Sequence, residues 1–191
     1  MKKVGITGGI ASGKSLLAKI FEEIGFPVFY SDRVSRKLVN ESEGLRQSII
    51  ELLGSESYSD GKMNNAYVAK IIFNNPQLLE KLNRIIHPEV RKTFLDWCTK
   101  QTADIVFNEA AILFETGAYA NFDATILVTA PLEIRINRAI IRDKSNREDI
   151  LKRIEQQWTD EKKIPLASFV LVNDDQTPFI QQVEALIYSL S

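Results

Sequence analysis

The chain has 191 residues, of which 45% are hydrophobic and 26% charged, which suits one α/β domain or one domain with an insertion. A net charge of −1 argues against a broad basic surface for nucleic acid or for an anionic membrane. Cys98 is the only cysteine, which excludes intramolecular disulfides and favours a cytoplasmic location. No run of about 18 apolar residues occurs, so a membrane-spanning helix is also excluded.

The first predicted element is a strand over Lys3–Thr7 that leads into a glycine-rich loop. Residues Gly8–Ser15 read Gly-Gly-Ile-Ala-Ser-Gly-Lys-Ser, which fits G-x-x-x-x-G-K-[ST], and a helical pattern begins at Leu16. In this arrangement backbone N–H groups and a helix dipole bind phosphate. We expect Lys14 to reach the β- and γ-phosphates of a nucleoside triphosphate, and the Ser15 hydroxyl to complete a Mg²⁺ shell.

A second predicted strand, Pro27–Tyr30, places Asp32 at the start of a helix. The ends of the first two strands of a parallel sheet face one crevice, so this carboxylate could accept the proton of a hydroxyl that attacks the γ-phosphate. An Asp here could also cap the helix, and the two roles are compatible. Arg36, one turn further on, could pair with Asp32 or contact an anionic substrate.

A helical excursion of about 75 residues without a convincing strand follows. It is too long for a simple crossover and predicts a helical subdomain over the C-terminal edge of the sheet, where a second substrate would bind. The only histidine, His87, precedes Pro88 and is either a cap or turn residue or a substrate contact, with Arg91 one turn away. Helices are predicted near Asp32–Val39, Leu45–Leu53, Asn64–Phe73, Pro76–Ile86 and Pro88–Lys100, with a turn at Asp60-Gly61.

The remaining predicted strands are Ile105–Asn108, Ala124–Thr129 and Phe169–Val172. Glu109, at the end of the third strand, could hold Mg²⁺ directly or through water, or could act as a cap.

Arginines follow the fourth strand at the spacing of one helix face. We interpret Arg135 as part of a solvated face beside Glu133, and we expect at least one of Arg138 and Arg142 to neutralise charge on a transferring phosphoryl group. The polar stretch Arg142–Asp149 is either a mobile lid or a solvated loop between two helices.

Together these motifs resemble the dephospho-coenzyme A kinase family over nearly the whole chain. Thr7–Ser15 is similar to the family's T-G-G-I-x-S-G-K-S loop, and Ser31–Arg36 to D-A-D-x-x-x-R, with Asp32 at the position of the catalytic base. Four further segments match family motifs: Ile86–Arg91 resembles H-P-x-[VI]-R, Ile112–Glu115 the end of P-L-L-F-E, Arg153–Gln157 R-[IL]-x-x-Q, and Val172–Asp174 N-x-G. The chain departs from the pattern at Tyr30, Ala111, Asp175, Ala11 and Leu16, where the family has Asp, Pro, Gly, Gly and Thr.

The resemblance implies an α/β P-loop three-layer fold like that of nucleoside monophosphate kinases, with a five-stranded parallel sheet in the order 2-3-1-4-5. It implies one kinase domain over residues 1–191, a substrate-binding helical insertion over 32–102 and a lid over 138–160. The implied reaction is ATP-dependent phosphorylation of the ribose 3′-hydroxyl of dephospho-coenzyme A, the last step of coenzyme A synthesis. The implied partners are ATP with Mg²⁺ and dephospho-coenzyme A, without nucleic acid or membrane; the oligomeric state stays open.

Site residues follow from the motifs and the resemblance together. The expected catalytic residues are Asp32, Lys14 and Arg142. The expected ATP contacts are Gly9, Ile10, Ala11, Ser12, Gly13, Lys14, Ser15, Leu16, Arg138, Arg142 and Asn173. The expected acceptor contacts are Thr7, Asp32, Arg36, His87, Arg91, Glu109 and Leu113, and the expected Mg²⁺ ligands are Ser15 and Glu109.

Other classes of nucleotide-binding protein fit less well. A GTPase switch needs N-K-x-D and D-x-x-G motifs, and a transport ATPase needs L-S-G-G-Q; none of these occurs. A kinase of the same fold with another metabolite as acceptor is the main alternative.

Overall fold

The computed structural model describes residues 1–73 and 75–190, which group into two compact units. One unit, here the sheet unit, contains Met1–Phe29 and the chain from Thr102 onward. The other, the helical unit, is Tyr30–Gln101.

The main sheet has five strands: β1 Lys2–Gly8, β2 Val28–Tyr30, β5 Ile105–Glu109, β6 Ala124–Thr129 and β7 Phe169–Val172. Their spatial order is β2-β5-β1-β6-β7. The labels β3 and β4 belong to two short strands outside this sheet, so numbering the five strands of the sheet alone gives the predicted order 2-3-1-4-5. β1 pairs in parallel with both β5 and β6, and β6 with β7. β1 is the central strand, and its residues from Val4 to Gly8 are buried. The loop that follows β1 therefore begins in the interior of the sheet unit.

Helices pack against this sheet and contribute many of the buried apolar residues of the sheet unit. α1 is Lys14–Glu23, α6 is Leu132–Asp143, α7 is Arg147–Glu155, α8 is Asp160–Lys163 and α9 is Phe179–Leu190. On α1 the ring of Phe21 stacks on Phe107 of β5 at a centroid distance of 3.9 Å, which fixes the helix against the sheet. α1 ends where Gly25 takes a positive φ of 93°, as expected for a glycine just beyond a helix.

The helical unit has its own core. Its helices are α2 Ser31–Glu41, α3 Glu43–Leu53, α4 Asn65–Ile72 and α5 Pro76–Cys98. Apolar residues of all four helices meet in one buried cluster that contains Val39, Ile49, Leu53, Val68, Leu82 and Ile86. Each helix therefore contributes an apolar stripe to a shared interior, as amphipathic helices do.

The helical unit also contains a hairpin that the sequence did not predict. β3, Tyr58–Ser59, pairs antiparallel with β4, Lys62–Met63. Strands of two residues are too short to show alternation, so the prediction of no strand in this stretch was wrong. The predicted turn is present: Asp60 and Gly61 both have positive φ, at 50° and 75°, as the tight turns of hairpins require.

Pro88 lies inside α5, so the predicted break between two helices there was wrong. Proline removes one backbone hydrogen bond and crowds the preceding turn. The helix continues because buried residues on both sides of the proline, Ile86 before it and Phe94 after it, hold the chain in a helical path. His87 is therefore a helical residue, and its interpretation as a cap or turn residue was also wrong.

Candidate active site

The phosphate loop consists of residues 9–13, between the end of β1 and the start of α1. Within the described part of the chain no side chain caps α1, whose N-cap residue is Gly13. The N–H groups at the start of a helix lack carbonyl partners one turn earlier, and together with the helix dipole they favour an anion. The loop thus has the backbone geometry of a phosphate cradle.

Two glycines of this loop have no room for a side chain. A Cβ on Gly13, whose φ is 108°, would collide with the side-chain amide of Asn173, and a Cβ on Gly9 would collide with the guanidinium of Arg135. Asn173 in turn donates from Nδ2 to the carbonyl oxygen of Ser12 at 2.8 Å. Side chains from later in the sequence therefore hold the loop closely.

Lys14, Ser15 and Glu109 come together at the start of α1. The Ser15 hydroxyl donates to Glu109 Oε1 at 3.1 Å, and Lys14 Nζ lies 3.8 Å from the same oxygen. Glu109 is only 5% exposed, at the end of β5 beside β1. The structure thus joins the phosphate-loop lysine and hydroxyl to the carboxylate that the sequence proposed for the metal.

These donors suit Mg²⁺. Hydroxyl and carboxylate oxygens are the hard ligands that Mg²⁺ prefers, and in nucleotide sites the ion usually takes one or two such ligands and completes its shell with phosphate and water. The described residues contain no cluster of three or more His, Cys, Asp or Glu side chains arranged for a metal. Ser15 and Glu109 are the residues that would hold Mg²⁺ beside a bound nucleotide.

Arg138 and Arg142 border a cleft of about 150 Å³ beside the loop, together with Ala11, Gly13, Lys14, Ser15 and Leu16. Arg142 donates from Nε and Nη2 to the carboxylate of Asp143 at 2.7 and 3.0 Å, and Arg153 binds the same carboxylate at 2.7 Å. These hydrogen bonds raise the pKa of Arg142 and hold the pKa of Asp143 well below its usual range.

Arg138 is held by the segment that follows β7. It donates to the carboxylate of Asp175 and, at 3.4 Å, to Oδ1 of Asn173. Asp175 has a φ of 64°, a conformation that favours glycine, and glycine is the residue that the resembling family has at this position. Both arginines expected to contact ATP are therefore held by carboxylates beside the cleft.

Arg135 does not lie on a solvated face, so that interpretation was wrong. It is 7% exposed, its Nε donates to the carbonyl oxygen of Ile10 at 3.0 Å, and its Nη1 lies 3.7 Å from Asp160 Oδ2. The three arginines do lie on one helix, as their spacing predicted. Which side of α6 faces the loop depends on how the helix packs, and the spacing alone does not give that. Gln157, which also contacts the loop, appeared in the sequence only as part of a motif without a role.

Three further predicted residues lie in the interior of the sheet unit. The hydroxyls of Thr7 and Ser12 are buried and find no hydrogen-bond partner among the described residues. Leu113 is 3% exposed and packs above Gly5 of β1.

In the helical unit, Asp32 lies in the first turn of α2, whose N-cap residue is Tyr30. Asp32 makes no capping hydrogen bond, so the interpretation of Asp32 as the cap was wrong; a first-turn carboxylate still interacts favourably with the helix dipole. Arg36 is exposed, and among the described residues neither it nor Asp32 forms an ion pair. The alternative of an Asp32–Arg36 pair is thus not realised.

His87 and Arg91 lie one turn apart on α5. Burial lowers the pKa of His87, which favours the neutral imidazole, a group that can donate one hydrogen bond and accept another. Arg91 is exposed. The pair offers a neutral polar group and a cation on the same side of the helix.

Across the described residues, no helix combines the length and apolar character that crossing a bilayer requires.

Comparisons with known proteins agree on one family. Residues 2–178 match the family profile described as dephospho-CoA kinase. A dephospho-CoA kinase of Bacteroides fragilis strain YCH46 is 41% identical over 186 residues, which cover 97% of this chain and 91% of that protein. The dephospho-CoA kinase of Chlorobium chlorochromatii is 36% identical over 90% of this chain and 84% of its own length.

Solved structures show the same relationship. The crystal structure of TT1252 from Thermus thermophilus has a TM-score of 0.86 at 31% identity, covering 99% of this chain and 95% of that chain. Dephospho-CoA kinase from Campylobacter jejuni has a TM-score of 0.70 at 26% identity, covering 99% and 96%. By its sequence and its fold, this chain belongs to the dephospho-CoA kinase family.

Proposed function

We propose that this protein transfers the γ-phosphate of ATP to the ribose 3′-hydroxyl of dephospho-coenzyme A, which gives coenzyme A and ADP in the last step of coenzyme A synthesis. The observation that carries the proposal is the cluster of Lys14, Ser15 and Glu109 at the phosphate loop. Family membership supports the choice of acceptor. We further propose that the protein works in the cytoplasm on these two small molecules, without a nucleic-acid partner.

On the donor side, the loop N–H groups bind the phosphates, and the Lys14 ammonium neutralises charge on the β- and γ-phosphates. Ser15 and Glu109 would hold Mg²⁺, which would supply further charge neutralisation when bound. A phosphate group competes with Asp143 for the fork of Arg142, since guanidinium binds both anions in a bidentate manner. Arg142 and Arg138 then stabilise the charge that develops on the transferring group.

On the acceptor side, we propose that the helical unit binds dephospho-coenzyme A through Arg36, His87 and Arg91, and that Asp32 is the general base. Asp32 takes the proton of the 3′-hydroxyl as that oxygen bonds to the γ-phosphorus. The bond between the γ-phosphorus and the bridging oxygen of ADP breaks, and ADP leaves. We propose that residues 138–160 close over the nucleotide as a lid and exclude water, which competes with the acceptor.

The test supplies Mg-ATP with one acceptor at a time: dephospho-coenzyme A, adenosine, AMP, CMP or pantothenate, or no acceptor. ADP release is followed together with product identity, and the Lys14→Ala protein purified in parallel reports contaminating kinases. We expect ADP release only with dephospho-coenzyme A, with one coenzyme A formed per ADP.

Two outcomes contradict the proposal. Preference for AMP or CMP would make the protein a kinase of the same fold for another acceptor. Equal ADP release with and without acceptor would show an ATPase.

A further inference from the structure

Both backbone polar groups of Ile10, in the phosphate loop, are hydrogen-bonded by side chains that lie far away in the sequence. Its N–H donates to Oε1 of Gln157 at 2.9 Å, and its carbonyl oxygen accepts from Nε of Arg135 at 3.0 Å. The first bond holds the Gly9–Ile10 peptide group and the second holds the Ile10–Ala11 peptide group. With the peptide groups on both sides of its Cα hydrogen-bonded, Ile10 has little freedom to rotate about φ and ψ.

The side chains of Gln157 and Arg135 are themselves held by other residues of the sheet unit. Gln157 donates from Nε2 to the carbonyl oxygen of Ala111, after β5, at 3.2 Å. Arg135 lies against Gly9, where a Cβ would collide with the guanidinium, and its Nη1 lies 3.7 Å from the carboxylate of Asp160 on α8. These contacts connect the phosphate loop to α6, to the turn after α7 and to α8.

Fold stability alone does not account for a charge at this position. Arg135 and Asp160 have side chains that are only 9% and 17% exposed, and burial raises the pKa of Asp160 against the opposing effect of Arg135 and Lys163. Buried ion pairs contribute little net stability compared with apolar residues of similar size. A donor aimed at a loop carbonyl is, by contrast, what a nucleotide site needs to keep its N–H groups directed at phosphate.

We propose that Arg135 is a positioning residue for nucleotide binding: held by Asp160 and working with Gln157, it fixes the backbone at Ile10 and thereby sets the affinity of the phosphate loop. Arg135 does not touch the phosphates; it acts through the backbone. The inference rests on the proposed function only in that a nucleoside triphosphate is the ligand.

The experiment compares two substitutions of Arg135. Along the side chain, Nε2 of glutamine occupies the place of Nε of arginine, so Arg135→Gln keeps a donor for the Ile10 carbonyl and loses the guanidinium. Arg135→Met keeps an apolar stem of similar length and loses the donor. The matched control is Arg84→Met, which removes an exposed arginine that pairs with Glu80 on α5, at 2.6 Å, and does not contact the loop.

For each protein, calorimetry gives the Kd of a non-hydrolysable Mg-ATP analogue, thermal unfolding without nucleotide gives Tm, and steady-state kinetics give the KM of ATP and of dephospho-coenzyme A. We expect Arg135→Met to weaken analogue binding about 10-fold and to raise the KM of ATP similarly, since a charge-assisted hydrogen bond is lost. Arg135→Gln should recover most of the affinity. The KM of dephospho-coenzyme A and the Arg84→Met control should stay within about two-fold of wild type.

Asp160→Asn is a second, independent test of the proposal, and it can be used if Arg135→Met folds poorly. We expect it to weaken analogue binding about three-fold in the wild-type background and not at all in the Arg135→Gln background, because the two groups act as a unit. Equal analogue affinity in all folded variants, with changes in Tm alone, would overturn the proposal and leave Arg135 a structural residue. Since analogue binding needs no turnover, failure of wild-type protein to phosphorylate dephospho-coenzyme A would count against the proposed function and leave this test intact.

Discussion

In the sheet unit, the candidate functional residues around the phosphate loop are held by a network of partners, whereas Asp32, Arg36 and Arg91 of the helical unit form no ion pair among the described residues. Lys14 and Ser15 meet the buried Glu109, and Arg135, Gln157 and Asn173 secure the loop backbone. In the helical unit, Asp32 makes no capping hydrogen bond, and Arg36 and Arg91 are exposed. The difference suggests that the donor site is built into the fold and that the acceptor residues gain their partners from the substrate. Substitutions should therefore separate the two regions.

The largest effect is expected at Asp32. Asp32→Asn keeps size and helix position but cannot take a proton, so turnover should fall about 10²–10⁴-fold with the Kd of ATP unchanged. Tm should shift little, because the side chain caps nothing. Asp96→Asn, at an exposed position of α5, is the control. Turnover near wild type in Asp32→Asn would remove Asp32 as the base.

Arg142→Ala should reduce turnover about 10³-fold, because an arginine that stabilises a transferring phosphoryl group contributes on that scale. Arg142→Lys keeps the charge and loses the bidentate fork, so it should be impaired as well. Arg153→Ala is the control, since it also removes a partner of Asp143. If both alanine variants lost only thermal stability, the stretch after α6 would be a solvated connection and not a lid.

Lys14→Ala should reduce turnover at least about 10²-fold and weaken ATP binding, while the protein stays folded. Its side chain pairs only with Glu109 among the described residues, at 3.8 Å. Kinetics and calorimetry on the same preparation measure both quantities. Near-normal turnover would show that the loop is not the catalytic cradle.

Gly13→Ala and Gly25→Ala form a matched pair at the two ends of α1. Both glycines have positive φ, 108° and 93°, so both substitutions carry backbone strain of about 1–3 kcal/mol. Only at Gly13 does the new methyl group collide with Asn173, whereas nothing lies within 4 Å of a Cβ on Gly25. We expect only Gly13→Ala to weaken ATP binding. A similar loss of ATP affinity in both variants would assign the effect to strain at the ends of α1 rather than to the loop.

The smallest effect concerns acid stability. Hydrogen bonds from Arg142 and Arg153 lower the pKa of Asp143, so its stabilising contribution is full above the ordinary pKa near 3.8 and is lost as pH falls through the lower folded-state pKa. Asp143→Asn should lower Tm slightly at pH 6 and remove part of the decline in Tm below pH 4. A parallel decline in both proteins would show that the two ion pairs contribute nothing in solution.

The sequence predicted the sheet well because its strands are short apolar runs and its order follows from the resemblance to a known fold. The phosphate loop could also be predicted, because its motif lies in consecutive residues, 8–15. The hairpin at Asp60-Gly61 was missed because two-residue strands carry no periodic signal. Tertiary packing decided the remaining errors: it carries α5 through Pro88, and it turns Arg135 inward toward Ile10.

In the proposed reaction, the γ-phosphate moves from ATP to one hydroxyl of dephospho-coenzyme A. The most direct measurement is a single-turnover reaction with γ-³²P-labelled Mg-ATP and excess enzyme, with the labelled product located by a 3′-nucleotidase. We expect the label to appear in coenzyme A, to be released quantitatively by the 3′-nucleotidase, and not to be transferred by Lys14→Ala. Label that appears as inorganic phosphate regardless of acceptor, or at any position that the 3′-nucleotidase leaves intact, would contradict it.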